Sequence, residues 1–163
     1  MLKASPDDII TELESVAGFI GSIFDNPVIY FQRIPEQPSA GDFSVIFQNS
    51  TTEQETALSY VDVREWQIIA FGEKDVDAPA DPNVMAKMEA IKRATVGAVR
   101  QVIPLSDESL RYMRIVNNGF SYSAPVKTED GRWACVGVLQ TEVRRARDYE
   151  TYEKIMQAGI KIA

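Results

Sequence analysis

The stretch "RWACVGVLQTEVRRA", residues 132–146, limits the fold more than any other part of the chain. Its first half is apolar on both sides of an extended backbone. Trp133, Cys135 and Leu139 fall on one side, and Ala134, Val136 and Val138 on the other. A strand with one wet face alternates apolar and polar, whereas one apolar on both faces must be covered on both. That places it in the interior of a sheet. Its second half turns polar and runs into three arginines within four positions, Arg144, Arg145 and Arg147. The chain therefore has to bring other strands to both edges of this one.

The preceding sequence supplies them. Ser5-Pro6-Asp7-Asp8 predicts a helix start, with Ser5 as cap and Pro6 at the first helical position. Ile9, Leu13, Val16, Ala17, Ile20, Ile23 and Phe24 follow at helical spacing. Gly18 and Gly21 weaken this helix and leave room for close packing. Pro27 ends it, because proline disfavours helix in the residue before it. "VIYFQR" (28–33) and "FSVIFQ" (43–48) predict strands around the loop 35–41. The polar stretch 49–56 has no apolar anchor and predicts a mobile loop or the tip of a long hairpin.

"LSYVDVREWQIIAFG" (58–72) predicts a strand whose apolar side changes, from Val61 and Val63 to Trp66 and Ile68. A bulge near Arg64 or a strand covered on both faces explains the change. Asp81 and Pro82 repeat the cap-then-proline signal. Val84, Met88, Ile91, Thr95 and Val99 then form a helical stripe, with Lys87, Lys92 and Arg93 off it. "RYMRIV" (111–116) alternates. Asn118-Gly119 predicts a hairpin, "FSYSAPVKT" (120–128) a strand broken by Pro125, and Asp130-Gly131 a second tight turn. A short helix from about Tyr149 to Gln157, capped by Asp148, closes the chain.

These elements predict a single α+β domain over residues 1–163. Its mostly antiparallel, mixed sheet has about six strands. Two main helices pack on it, a short helix ends it, and the tail from about residue 158 is loose. "MLKASPDD" lacks the apolar segment of a signal peptide, and no apolar run reaches the 18 residues needed to cross a bilayer. The expectation is a soluble chain, cytoplasmic when made.

The chemistry is read mostly from what is missing. The chain has no histidine, which removes Ser-His-Asp and Cys-His catalysis in their usual forms. One cysteine makes neither a disulfide framework nor a zinc site. Cys135, inside an apolar run, reads as a small buried hydrophobe. There is no phosphate-binding glycine loop, no dinucleotide fingerprint and no nucleophile elbow. Asp75, Asp77 and Asp81 resemble half of a calcium loop, without the glycine at its bend or the glutamate at its end. No cofactor or metal is expected. A mechanism using carboxylates alone stays open, although most acidic residues suit helix starts and turns.

Charge is uneven along the chain. Residues 1–81 hold 4 Lys and Arg against 15 Asp and Glu, while residues 82–163 hold 13 against 9. Two surfaces of opposite sign would favour head-to-tail association of copies; halves that interleave would cancel. The three arginines have three readings. On a strand Arg145 shares the Trp133 face and Arg144 takes the other, and Arg147 rejoins Arg145 if the strand continues. They pair with nearby Glu142, Asp148, Glu150 or Glu153, or meet another subunit, or contact nucleic acid. The net charge of −7 and the lack of spaced aromatic partners weigh against the last.

The order of elements, together with "VIYFQRIPEQP", "YVDVREWQIIAFG", "YMRIVNNGFSYSAPVKTEDG" and "GVLQTEVRRARDYETYEKI", resembles the bacteriophage tail terminator proteins. These are also called tail completion or tail-to-head joining proteins. The likeness covers most of residues 28–155 and is nearest to terminators of siphophages, myophages and phage-like elements of Gram-positive bacteria. It implies a non-enzymatic virion protein without cofactors. Such subunits form a hexameric ring on the last ring of tail tube protein, stop tube growth and present a surface to the head-side connector. DNA passes through the lumen without specific binding. The location implied is the host cytoplasm during assembly and then the neck end of the virion tail. The family has no motif that assigns the arginines, so Arg144, Arg145 and Arg147 are interface candidates on their own chemistry. Alternatives are a head-completion or neck protein, a small intracellular module binding an anionic ligand, and a carboxylate hydrolase.

Overall fold

The computed structural model describes residues 2–3, 5–74, 82–97, 102–107, 111–147, 153–154 and 156–158. The elements run β1 (Leu2–Lys3), α1 (Asp8–Ile23), β2 (Ile29–Phe31), β3 (Phe43–Glu53) and β4 (Ser59–Lys74). Then follow α2 (Pro82–Gly97), β5 (Val102–Pro104), β6 (Tyr112–Tyr122), β7 (Val126–Lys127) and β8 (Arg132–Ala146). Residues 153–154 and 156–158 are helical, within the expected short C-terminal helix; Asp148 lies outside the described residues. The architecture is α+β, with a mixed sheet ordered β2-β3-β4-β8-β6-β5 and two main helices.

β8 has the bounds and the central place that its two-sided apolar pattern demands. One edge pairs antiparallel with β4, in register from Ser59–Ala146 to Phe71–Ala134. The other edge is shared by β7, β6 and the parallel β1. Toward the helices, Trp66, Ile68 and Ala70 of β4 pack with Cys135, Leu139 and Val143 of β8. Val16, Ala17 and Ile20 of α1 and Val84, Met88 and Ile91 of α2 close over them. Ile69, Phe71 and Ala134 form a smaller cluster on the opposite face with Ile46 and Val136. Gly137 lies under Met88 of α2 and Phe120 of β6. A Cβ there would lie 2.6 Å from the Phe120 ring and 2.7 Å from Met88 Cε, so only glycine lets both side chains lie flat on the sheet.

α1 starts later than expected, at Asp8 rather than Pro6. The reason is local. The Asp8 carboxylate turns back and accepts the Ser5 backbone N–H at 2.8 Å, so residues 5–7 form a turn ahead of the helix. β3 reaches Glu53, so most of the polar stretch 49–56 is strand at the far end of a long hairpin. In its turn, Thr56 Oγ1 accepts the N–H of Ser59 at 2.9 Å. β4 has no bulge near Arg64. The irregularity is across from it on β3, between Phe47 and Asn49. Both faces of β4 are buried by the chain's own residues, including Val61 and Val63.

Asn118-Gly119 makes no hairpin. The chain runs through it as β6, whose register against β8 breaks between Ile115 and Phe120. Those two residues are an odd number apart, which in a regular strand puts them on opposite faces. Both belong to the core cluster. The break supplies three extra residues on β6, since Ile115 faces Thr141 and Phe120 faces Leu139. A bulge that re-aims side chains is the usual use of such an insertion. The expected strand 120–128 is likewise divided at 123–125, next to Pro125. The Asp130-Gly131 turn forms as expected, with Gly131 at φ +81°.

Candidate functional site

The three arginines leave β8 in different directions. Register decides Arg145. It lies opposite Tyr60 of β4, on the face that carries Trp66 and Leu139, and therefore points under the first turns of α1. There Asp8 and Glu12, one helical turn apart, meet it. Nη1 donates to Asp8 Oδ2 at 3.0 Å, Nη2 to Glu12 Oε2 at 2.9 Å and Nε to Asp62 Oδ2 at 2.5 Å. Arg64, on the same face of β4, donates from Nε to the same Glu12 oxygen at 3.0 Å and from Nη1 to Ser50 Oγ at 3.0 Å. The side chains of Arg145 and Glu12 are 3% and 2% exposed. This is a buried ionic clasp that ties the start of the first helix to the two central strands.

Arg144, on the other face, is exposed. It donates to Ser59 Oγ at 3.1 Å and to Gln54 Oε1 at 2.9 Å. Arg147 follows the end of β8 and does not rejoin Arg145. Its Nε donates to Thr56 O at 2.6 Å and its Nη2 to Glu55 Oε2 at 3.2 Å. Its guanidinium lies 5.9 Å from the centre of the Tyr60 ring. So Arg145 holds α1, while Arg144 and Arg147 hold the turn of the β3–β4 hairpin. Pairing within the chain is the reading that fits, but with other partners than expected. Asp8, Glu12, Asp62 and Glu55 take the places of Glu142, Asp148, Glu150 and Glu153. Glu142 pairs instead with Arg114 at 3.4 Å; Asp148 and Glu150 lie outside the described residues. Arg145 is enclosed by its own chain's carboxylates, whereas Arg144 stays exposed and Arg147 half-buried.

Sequence reading missed Glu12, Asp62 and Arg64. A signal existed at Glu12, a charged residue beside the apolar stripe of α1 and four positions after Asp8. Nothing local marks Asp62 and Arg64, whose role depends on the β4–β8 register.

Burial pushes the Glu12 carboxyl above its ordinary value of 4.5, and the guanidinium groups of Arg64 and Arg145 pull it back only in part. Burial lowers Arg145, but Glu12, Asp62 and Asp8 outweigh it and hold the group above its ordinary value. A carboxyl raised by folding contributes stability that is complete below its unfolded value and is lost as pH rises through the folded one. Wild type should therefore lose stability relative to Glu12→Gln as pH rises from about 4.5. Urea midpoints of both proteins between acid and neutral pH test this. A difference independent of pH would contradict the raised value.

Cys135 is buried, as expected of a small apolar residue, and burial raises its thiol. Among the described residues no group of three or more acidic or cysteine side chains is placed to hold a metal ion. The half-loop Asp75, Asp77 and Asp81 lies outside them. No helix among the described residues is long and apolar enough to cross a membrane. A concavity of about 400 Å³ lies between the end of α1, the end of β4 and the start of α2, with Phe24, Phe71, Val84 and Lys87 in its wall. Glu73 and Asn83, also in the wall, stand on either side of residues 75–81, which are outside the described residues. The sequence matches no known protein-family model, and no curated protein matches it.

Proposed function

We propose that this chain is a structural subunit of a bacteriophage tail, a terminator that assembles as a ring on the end of the tail tube. The ring ends tube growth and gives the head-side connector its docking surface. In this reading the protein is no enzyme, needs no cofactor, and lets DNA pass through the lumen without specific binding. It acts in the host cytoplasm during assembly and then at the neck end of the tail. The resemblance of the four stretches supports the reading. The observation that carries it is the outer edge of the sheet at β2.

β2 ends the strand order, so its second edge has no strand beside it among the described residues. Around it Val28, Phe31 and Ile34 are 53%, 45% and 63% exposed. An open edge flanked by apolar side chains is a template for another chain. A copy that meets it through a different patch makes a heterologous contact, the kind that closes into rings. This edge joins the exposed Arg144 and half-buried Arg147 as candidate contact surface, while Arg145 is engaged within the subunit.

Mass in solution across a concentration series, with negative-stain images of the same samples, tests the reading. Closed rings, six copies in the form the resemblance implies, support it. A monomer that also fails to bind isolated tail tubes overturns it, and binding to heads instead of tails favours a head-completion protein. Phe31→Ser with Ile34→Ser should raise the concentration needed for assembly at least about tenfold, equivalent to about 1.4 kcal/mol. The melting temperature should hardly move, because neither side chain is in the core. Unchanged assembly by the double variant would remove the β2 edge from the contact.

A further inference from the structure

The clasp leaves one polar atom without a protein partner. Both arginines approach Oε2 of Glu12, while Oε1 is buried and accepts no hydrogen bond among the described residues. A buried carboxylate oxygen left in this way costs on the order of 1–3 kcal/mol or more, so native structures rarely leave one unmatched. Glu12 also lines a cavity of about 20 Å³, with Asp8 and Thr11 of α1, Leu105 and Asp107 after β5, and Val143 and Arg145 of β8. A single water requires roughly 10–15 Å³ on this measure, so the cavity holds one molecule.

We propose that this cavity is the seat of one ordered water that completes the clasp, donating to Glu12 Oε1 and accepting from a spare N–H of Arg145. The donor count allows it. A guanidinium has five N–H groups, and the three carboxylate contacts of Arg145 use three of them. The second hydrogen of the water has the carboxyl groups of Asp8 and Asp107 in the same wall. A water with two to four polar partners is a fixed part of the structure.

Val143→Ile tests the proposal, since it adds one methylene at the wall of the cavity. In a dry apolar cavity such filling raises the melting temperature. Displacing a water that satisfies Glu12 should instead lower it by a few degrees, at roughly 2–4 °C per kcal/mol for a chain of this length. In a Glu12→Met background the acceptor is gone, and the same substitution should become neutral or stabilising. A high-resolution crystal structure gives the independent readout: a density peak at hydrogen-bond distance from Glu12 Oε1, even if the Glu12→Met protein does not fold. Stabilisation by Val143→Ile in the wild-type background, or a site without such a peak, would overturn the proposal.

Discussion

Arg145→Ala should lower stability by about 3–5 kcal/mol, the usual cost of stranding buried charge partners. Against a total stability of about 5–15 kcal/mol, this is a large fraction. The melting temperature should fall by roughly 6–20 °C. Three carboxylates, of Asp8, Glu12 and Asp62, lose a shared cation at once; among the described residues Glu12, 2% exposed, and Asp62 keep only Arg64. Glu12 can limit the loss by taking up a proton, which is why the cost stays below the Coulomb energy of the pairs. Arg144→Ala and Arg147→Ala should each cost under about 1 kcal/mol, since their partners are in or near water. Arg145→Met with Glu12→Leu should recover part of the loss, because the stranded charge goes with its partner. Thermal melts of the four proteins decide the matter. Equal effects at all three arginines would mean that the clasp contributes no more than the surface contacts.

Gly119→Ala should cost about 2–3 kcal/mol, or roughly 4–12 °C in melting temperature. The added Cβ would stand 2.2 Å from Ile115 Cγ2 and 2.5 Å from the carbonyl oxygen of Val116. No rotamer moves a backbone oxygen, so the bulge itself has to shift, and with it the registration that puts both Ile115 and Phe120 in the core. Gly18→Ala is the matching control. Its Cβ would meet nothing within 4 Å, and in an α-helix the change should gain up to about 1 kcal/mol. If Gly119→Ala melts with the wild type, residues 115–120 take another path from the one described.

The same two sites mark what the sequence could tell. α1 and β8 were legible because each is decided by its own periodicity: the stripe from Ile9 to Phe24 lies in or against the core, and residues 132–146 are the central strand. Asn118-Gly119 misled because a hairpin and a bulge ask the same thing of the backbone, a residue without a Cβ. The parity of Ile115 and Phe120 could not separate them, since a two-residue turn at 118–119 and the bulge both bring these residues to one face. β3 was read short because its outer part is polar on both faces and is held by pairing with β4 rather than by burial. Of the candidate site, the arginine cluster was visible and Arg145 was placed on the correct face. Its partners were not, since Asp8, Glu12 and Asp62 lie far from it in sequence and come together only through strand register and helix packing.

Among the described strands β8 is made after all the others, and it is the one they depend on. As the chain leaves the ribosome, α1, β2, β3, β4 and α2 appear first, with one edge of β4 open and Glu12 and Asp62 lacking Arg145. Such non-local pairing defers folding until the late segment is present. A ribosome that stops before residue 146 therefore releases a sticky fragment and no partial domain. The position of this one strand makes folding of the sheet wait for residues 132–146, so everything made before them stays without its central partner.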